Sequence, residues 1–442
     1  MVCKILISAA KMLGKRGSAT PGKIALMIAP DILRRLASQV RRGIIVVCGT
    51  NGKTTTNNMI YDLLSAKGYK LVCNRLGANM LYGAVTAFID AAGINGKLDA
   101  DYACIEADEL WAVKMFEHFK PDYIVMTNLF RDQLDRYGQV EIILDALKRA
   151  AEAADGATLI VNADDPLLVT LGKGYGGKCV YYGVDDEPRE IAAEAGSAAE
   201  IREGRLCRSC GAELKYEAYY YSHIGRYACP DCGFSRPAPE YAATGLDLSR
   251  GLAFNVGGEQ IRASYRGFYN VYNILAAYAV LRQCGVDTAG INETLANFRP
   301  QLGRMETFTI GGKEVFLNLA KNPAGFNQAI SALLADERAK TVLLAVNDHE
   351  SDGRDVSWLW DVDFERLRGV DKIIASGARA ADILVRMKYA GFGPDRALLD
   401  PGINEGVASA LSGDSEAVYA LVNYTALFST HDLLRKMAKG SP

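Results

Sequence analysis

The chain has no excess of charge of either sign. Its 442 residues carry 50 Lys and Arg against 52 Asp and Glu, a formal charge of −2. A protein that grips nucleic acid by its phosphates needs a basic field, and bulk composition supplies none. Long apolar runs are missing as well. The longest near the N-terminus, Ile5–Ala10, is bracketed by Lys4 and Lys11; it is too short to span a bilayer, and no small-residue cleavage pattern follows it. Internal repeats and low-complexity tracts are absent. These absences point to a soluble, cytoplasmic protein. The first forty residues, with basic positions among apolar ones, read as a helical lead-in packed on the core, or alternatively as helices lying on a membrane surface.

A disulfide framework is also missing, despite ten cysteines. Cys3, Cys48, Cys73, Cys104, Cys179 and Cys284 are scattered singly, several inside apolar runs, as small buried hydrophobes are in a reducing compartment. The other four form a pattern. Cys207-Arg-Ser-Cys210 and Cys229-Pro-Asp-Cys232 are two knuckles with eighteen residues between them, the spacing of a four-cysteine zinc site. Gly211 and Gly233 follow the knuckles, where the turn needs a residue tolerant of positive φ. Four thiolates close the tetrahedron and leave no open position, so Cys207, Cys210, Cys229 and Cys232 are expected to hold a structural Zn²⁺. The tyrosines between them read as packing for a small β-hairpin module. Stacking on nucleic-acid bases is the other use for such residues, but Ile201–Arg236 holds six Lys/Arg and four Asp/Glu, hardly a phosphate-binding stripe.

From Gly43 onward, short β-rich runs alternate with longer helical stretches. Ile44–Cys48, Leu71–Cys73, Tyr102–Ile105, Tyr123–Thr127 and Ala157–Val161 read as strands, with helices at Thr54–Lys67, Tyr82–Ala92, around Trp111–Phe116 and at Gln139–Ala153. Such alternation means a mostly parallel, doubly wound α/β sheet. The rhythm breaks near residue 185, strand-like segments resume at Leu252–Val256, and a helix follows at Asn270–Gln283. After a boundary near Arg299–Arg304 an α/β pattern restarts, with strands at Glu314–Leu319, Thr341–Val346, Lys372–Ala375 and Ala417–Leu421. The expected division is a lead-in at 1–42, a first α/β domain at 43–300 with the ribbon inserted at about 203–236, and a Rossmann-like α/β domain at 301–442.

Ile44-Ile-Val-Val-Cys-Gly-Thr-Asn-Gly-Lys-Thr-Thr-Thr56 is a strand, a glycine turn and a helix start in one line. Gly49 and Gly52 let the backbone curl so that its amides form a nest for phosphate oxygens, and the helix N-terminus adds partial positive charge. Lys53 has the reach for the β- and γ-phosphates, and the Thr54 hydroxyl can ligate Mg²⁺. The general phosphate-loop pattern wants glycine at 47, where this chain has Val47.

Gly49-Thr-Asn-Gly-Lys-Thr54 resembles the nucleotide loop of the Mur ligases and folylpolyglutamate synthases, which accept valine there. Further stretches resemble that family in order: Thr127-Asn-Leu-Phe-Arg-Asp-Gln-Leu-Asp135, Val161-Asn-Ala-Asp-Asp165, Gly267-Phe-Tyr-Asn-Val-Tyr-Asn273, Leu302-Gly-Arg-Met-Glu306 and Asn318-Leu-Ala-Lys-Asn-Pro323. The resemblance implies ATP and Mg²⁺ as cofactors, a carboxylate phosphorylated to an acyl phosphate, and an amine that displaces the phosphate. It carries nucleotide binding onto Gly49, Thr50, Asn51, Gly52, Lys53, Thr54, Thr55, Asn273 and Arg304, and Mg²⁺ onto Thr54 and Glu106, with Glu109 the rival for Glu106. Arg304 is either a phosphate bridge across a domain cleft or a surface arginine. Departures are Gln133 and Tyr269 in place of two family histidines, and Asn318 and Lys321 in place of an aspartate and a histidine. Only about forty residues precede the loop, so no UDP-binding N-terminal domain is expected there.

The inserted ribbon, with Asn318–Asn327 and Asp352-Gly-Arg-Asp-Val-Ser-Trp-Leu-Trp-Asp361, resembles one branch of these ligases: amidating subunits that pair as a heterodimer with a GatD-like glutamine amidotransferase. That likeness implies amidation of the D-glutamate α-carboxylate of the peptidoglycan precursor lipid II, at the inner face of the cell membrane. No Cys/His pair here looks like a glutaminase nucleophile and base, so ammonia is expected from the partner. Asp355 is the candidate to complete the partner's glutaminase site, beside two tryptophans suited to an interface, with Asp352 second. The alternative is that Asp355 merely caps the following turn. Lys53, Glu106 and Asp355 are thus the candidate catalytic residues. Rival functions are a folylpolyglutamate synthase-like amino-acid ligase and a zinc-ribbon NTPase acting on nucleic acid.

Overall fold

The computed structural model describes residues 19–75, 78–132, 140–186, 203–249, 251–264, 267–298 and 302–440, with positions 3, 4 and 7 near the N-terminus. Gln133 and most of the Ile5–Ala10 run lie outside the described residues.

Among the described residues, eleven strands precede residue 264. β1 (Gly43–Cys48), β2 (Leu71–Cys73), β3 (Tyr102–Glu106), β4 (Tyr123–Met126), β5 (Thr158–Asn162) and β6 (Cys179–Val184) are followed by a hairpin, β7 (Lys215–Tyr221) and β8 (Ile224–Ala228). Then come β9 (Tyr241–Asp247), β10 (Leu252–Val256) and β11 (Glu259–Ala263). All but the hairpin join one sheet in the order β11-β10-β9-β6-β5-β4-β1-β3-β2. From β2 to β9 every pairing is parallel, and β10 and β11 add an antiparallel edge. The apolar continuity of β1 has a direct cause. Ile44, Val46 and Cys48 enter the core on one face of the sheet while Ile45 and Val47 enter the core on the other, so a central parallel strand has no polar side. The first face packs helices that include Leu81–Ala91, Glu109–Phe116 and Val140–Ala153; the second packs Lys53–Ala66 and Tyr269–Gln283. The lead-in helices Thr20–Ile28 and Ile32–Ala37 lie against Leu81–Ala91, with Ala25, Leu33 and Leu36 buried.

A second sheet holds β12 (Arg304–Ile310), β13 (Lys313–Leu319), β14 (Lys340–Ala345), β15 (Lys372–Ser376), β16 (Ala397–Leu399) and β17 (Ala417–Val422), ordered β12-β13-β17-β14-β15-β16. β12 runs antiparallel to β13, and the rest are parallel. Where the sequence reads only a boundary near Arg299–Arg304, the structure begins β12 at Arg304. An edge strand with Thr307 and Thr309 exposed carries too few apolar residues to announce itself. The same reason hides β9, whose Tyr-Ala-Ala-Thr-Gly-Leu-Asp lacks a clean alternation. Among the described residues no helix is long and apolar enough to cross a membrane.

Candidate functional site: a phosphate loop facing a second sheet

β1 ends at Cys48, and the loop 49–52 turns into the helix Lys53–Ala66. Gly49 sits at φ 119° and Gly52 at φ 85°, conformations that favour glycine. Space also demands glycine: a Cβ at 49 would lie 2.3 Å from Thr127 Oγ1, and one at 52 would lie 2.4 Å from Asn273 Oδ1. The segment after β4 holds the loop in place. Asn51 N–H donates to Asn128 Oδ1 (2.8 Å), while Thr127 Oγ1 (2.8 Å) and Asn128 Nδ2 (3.0 Å) donate to the Asn51 carbonyl. Thr50 Oγ1 donates to the Phe130 carbonyl (3.0 Å) and accepts from Phe130 N–H (2.9 Å). The loop's shape is therefore held by the chain's own groups.

Register brings the acidic groups to the loop. β1 pairs with β3 so that Val47 is opposite Glu106, which sets Glu106 beside the start of the helix. Thr54 Oγ1 donates to Glu106 Oε2 at 2.7 Å. Asn79 Nδ2 donates to the other carboxylate oxygen at 3.2 Å, and Asn74 clasps the Glu106 backbone through both its amide N–H and its carbonyl. Glu109 has a different place. It forms an ion pair with Lys53 Nζ at 2.9 Å, and the ammonium also donates to the Gly49 and Thr50 carbonyls. Burial pushes the Lys53 pKa down, but Glu109, Glu106 and Asp108 outweigh it and raise it, so the amine stays charged. The two glutamates are thus sorted: Glu106 shares an oxygen-rich corner with Thr54, the hard-ligand set that suits Mg²⁺, and Glu109 balances the lysine.

The second sheet closes on this loop. A cleft is lined by Asn51, Gly52, Thr55, Asn270 and Asn273 on one side and by Arg304, Asn318 and Gln328 on the other. Burial lowers the Arg304 guanidinium pKa, with Glu106 and Tyr269 pulling the other way. A guanidinium in a cleft opposite a phosphate loop is placed to meet phosphate charge. Asn273 Nδ2 donates to Asn270 Oδ1 (2.9 Å), and Thr56 Oγ1 donates to Asn273 Oδ1 (3.2 Å). Direct latches cross between the sheets: Asn322 Nδ2 donates to Asn51 Oδ1 at 3.2 Å, Lys321 pairs with Asp132, and Arg131 pairs with Asp361. Asn128, Asn322, Asp132, Asn74 and Asn79 escaped the sequence reading as site residues, although the first three sit inside motifs it singled out. Nothing local announces that Asn128 and Asn322 reach Asn51, that Asn74 and Asn79 reach Glu106, or that Asp132 meets Lys321.

The cysteine knuckles come together as their spacing predicts. Cys207, Cys210, Cys229 and Cys232 place their sulfurs within 4.8 Å of one another, with Cys207–Cys232 at 3.5 Å and Cys210–Cys229 at 3.4 Å. A tetrahedral ion with Zn–S bonds of about 2.3 Å sets its sulfurs roughly 3.8 Å apart, so the four fit such an ion. Gly211 and Gly233 both have positive φ. The expectation of a self-packed hairpin is half right. Tyr216 stacks on Tyr219, and Tyr227 on Phe234, but Tyr220 and Tyr221 enter the core of the large sheet.

Asp352–Asp361 follows β14 at its carboxyl end. Asp352 is buried and accepts from Thr425 N–H (2.8 Å) and Thr425 Oγ1, which commits it to holding the start of the helix Tyr424–Gly440. Asp355 accepts from Ser357 N–H at 2.8 Å, so it does cap the turn. The bond engages one carboxylate oxygen of a side chain that is only partly buried, and hydrogen bonds from Ser357 keep its pKa low. Of the two tryptophans suited to an interface, Trp358 is a core residue packed on Phe326, and Trp360 is 53% exposed beside Tyr389.

A phosphate loop on a parallel sheet, with a second α/β sheet bringing an arginine to the same cleft, is the architecture of the Mur ligases. A family model described as Mur ligase middle domain matches residues 47–225, and one described as MurT ligase C-terminal matches residues 319–427. Over 441 residues, 99% of this chain and 98% of the relative, the sequence is 35% identical to the lipid II isoglutaminyl synthase (glutamine-hydrolyzing) subunit MurT of Staphylococcus aureus (strain COL). The chain belongs to the MurT family. Among solved structures, a pseudomurein peptide ligase type C from Methanothermus fervidus superposes with a TM-score of 0.69 at 24% identity, covering 90% of this chain and 79% of that one. The folylpolyglutamate synthase of Mycobacterium tuberculosis, solved with ADP and AMPPCP, gives 0.63 at 15% identity and covers 98% of each chain. Both structural likenesses are of fold alone.

Proposed function

We propose that this chain is the ATP-consuming subunit of a glutamine-dependent ligase that amidates the D-glutamate α-carboxylate of lipid II to D-isoglutamine. The observation that carries the reading is the corner where Thr54 meets Glu106 at the phosphate loop, opposite Arg304. ATP lies on Gly49–Thr55 with Asn273 beside it. Thr54 and Glu106 hold Mg²⁺, which supplies charge neutralisation on the phosphates. Lys53 and Arg304 bear on the transferred phosphoryl group from the two sides of the cleft. A substrate carboxylate oxygen attacks the γ-phosphorus and ADP leaves, giving an acyl phosphate. Ammonia nitrogen then attacks the carbonyl carbon, inorganic phosphate leaves, and a proton is lost to give the amide.

Ammonia comes from a GatD-like glutaminase subunit in a heterodimer, with Asp355 reaching into that partner's site to orient a histidine. The partly exposed Asp355 carboxylate and the exposed Trp360 support this assignment over Asp352, whose carboxylate is already used. The four cysteines hold a structural Zn²⁺. Domain boundaries at about 43 and 301, with action at the inner face of the membrane, complete the reading.

The test is reconstitution with the glutaminase partner, ATP–Mg²⁺, lipid II and either glutamine or ammonium, with mass spectrometry of the product and elemental analysis of the protein. Amidated lipid II from both nitrogen sources and about one zinc per chain are expected. ATP-dependent addition of glutamate by the isolated chain, without a partner, would instead make it a folylpolyglutamate synthase-like ligase.

A further inference from the structure

The ribbon is built into the nucleotide cleft. Its hairpin β7–β8 turns at Ser222–His223, and that tip is buried, with His223 wholly so. Tyr221, the last residue of β7, lines the cleft together with Asn51, Gly52 and Asn273. Its ring sits 5.8 Å from Phe130 and 5.9 Å from Tyr272. His223 lies between two carboxylates, 3.5 Å from Asp165 and 3.5 Å from Glu203, with the Phe130 ring at 4.9 Å. Asp165 in turn accepts from Leu129 N–H at 2.8 Å. Leu129 belongs to the segment whose Thr127, Asn128 and Phe130 hold Thr50 and Asn51.

The base of the ribbon is tied to the end of β5 as well. Arg236, just past the second knuckle, pairs with Asp164, and Tyr272 of the helix that lines the cleft donates to Asp164 at 2.8 Å. Tyr227 donates to the Ala163 carbonyl at 3.1 Å, and Gly225 N–H to the Asp164 carbonyl at 2.9 Å. Tyr227 also belongs to the small core that contains Cys207 and Cys229. One short hairpin therefore joins the cysteine cluster at one end to the wall of the cleft at the other.

We infer that the ribbon hairpin is a working wall of the nucleotide site: Tyr221 contacts bound nucleotide, His223 positions the Thr127–Arg131 segment behind the phosphate loop, and metal on the four cysteines sets nucleotide affinity. This rests on the reading of the cleft as the ATP site. The hairpin is only two strands, and a lone hairpin is marginal in water; without its metal the knuckle end frays, and the tip loses the register that seats Tyr221.

The test uses the full chain and calorimetric binding of ADP and of a non-hydrolysable ATP analogue with Mg²⁺, alongside hydrogen exchange of residues 127–132. Tyr221→Phe keeps the ring and should retain most of the affinity that Tyr221→Ala loses. Tyr221→Ala should bind about tenfold more weakly. The double variant Cys210→Ser, Cys232→Ser, altered only at exposed cysteines, should weaken binding by a similar factor and speed exchange at 127–132. His223→Gln should speed exchange at Leu129 and Phe130 more than elsewhere in the large sheet. If Tyr221→Ala does not fold, the cysteine double variant decides by itself. Unchanged affinity in that double variant, with the unaltered chain binding normally, overturns the inference and leaves the ATP reading intact. No nucleotide binding by the unaltered chain overturns both.

Discussion

Two loops of this molecule follow parallel strands at their carboxyl ends, where open α/β sheets place ligands, and they are built in opposite ways. The phosphate loop after β1 is finished within the chain. Its backbone is pinned by Thr127 and Asn128, its lysine by Glu109, its threonine by Glu106. The loop after β14 spends Asp352 on anchoring itself to Thr425 and leaves Asp355 partly exposed and Trp360 largely so. The first already holds, within the chain, every side chain that the proposed function asks to meet phosphate from this side of the cleft. The second holds one carboxylate oriented by Ser357 and an exposed aromatic, the parts that the proposed partner site would use. A loop saturated by internal partners and a loop with an outward remainder match the two roles of the proposed function, one served within the chain and one across an interface.

The sharpest way to break this contrast is Lys53→Ala. It should lower ATP turnover by on the order of a thousandfold, since it removes a charge bearing on the transferred phosphoryl group, and circular dichroism should show the fold intact; activity within about tenfold of the unaltered chain would end the phosphate-loop assignment. Asp355→Asn in the assembled heterodimer comes next. Amidation with glutamine should fall by about a hundredfold or more while amidation with ammonium persists, and equal loss of both, or of neither, would return Asp355 to capping its turn. Glu106→Gln sharpens the sorting of the two glutamates. The Mg²⁺ concentration for half-maximal activity should rise by about 10 to 100-fold, and no change would move the metal elsewhere.

Smaller effects test the second loop and the ribbon for stability alone. Asp352→Ala leaves Thr425 N–H without its acceptor and should cost about 1–3 kcal/mol in urea unfolding. The last is a pH dependence at His223. Burial alone would lower its pKa, but Asp165 and then Glu203 outweigh burial and raise it to about 9 from the ordinary 6.5. A raised folded-state pKa stabilises fully below the unfolded value and is lost as pH climbs through the folded one. The groups facing the ring are Asp165, Glu203 and the uncharged Phe130, with Arg131 near Glu203. Unfolding free energy should therefore fall between pH 6.5 and about 9 in the unaltered chain, relative to His223→Gln. Parallel pH profiles for the two would remove the imidazolium from the account.

Much of the site is legible in the residues alone. The strand–loop–helix at Ile44–Thr56 is local, so apolar run, glycines and helix start stand in one line of sequence. The knuckles are local too. What stays hidden depends on which strands become neighbours. Glu106 and Glu109 are rival candidates in the sequence, and the β1–β3 register separates them. Asn322 lies 271 residues from Asn51 in the chain, and the hydrogen bond between them exists only because the second sheet docks over the loop. Trp358 and Trp360, two positions apart, look alike in the sequence, yet packing buries one against Phe326 and leaves the other out.

The sequence by itself determined the apolar periodicity, the glycines that the phosphate turn requires and the cysteine spacing that fits a tetrahedral ion, because each acts over a few residues of backbone. Only the tertiary structure decided which carboxylate meets Thr54, that Arg304 faces the loop, and that the ribbon's tip belongs to the cleft. Those are contacts between elements distant in the chain, fixed by sheet order and by the burial of Tyr220, Tyr221 and His223 against a strand end that their own neighbourhood never mentions.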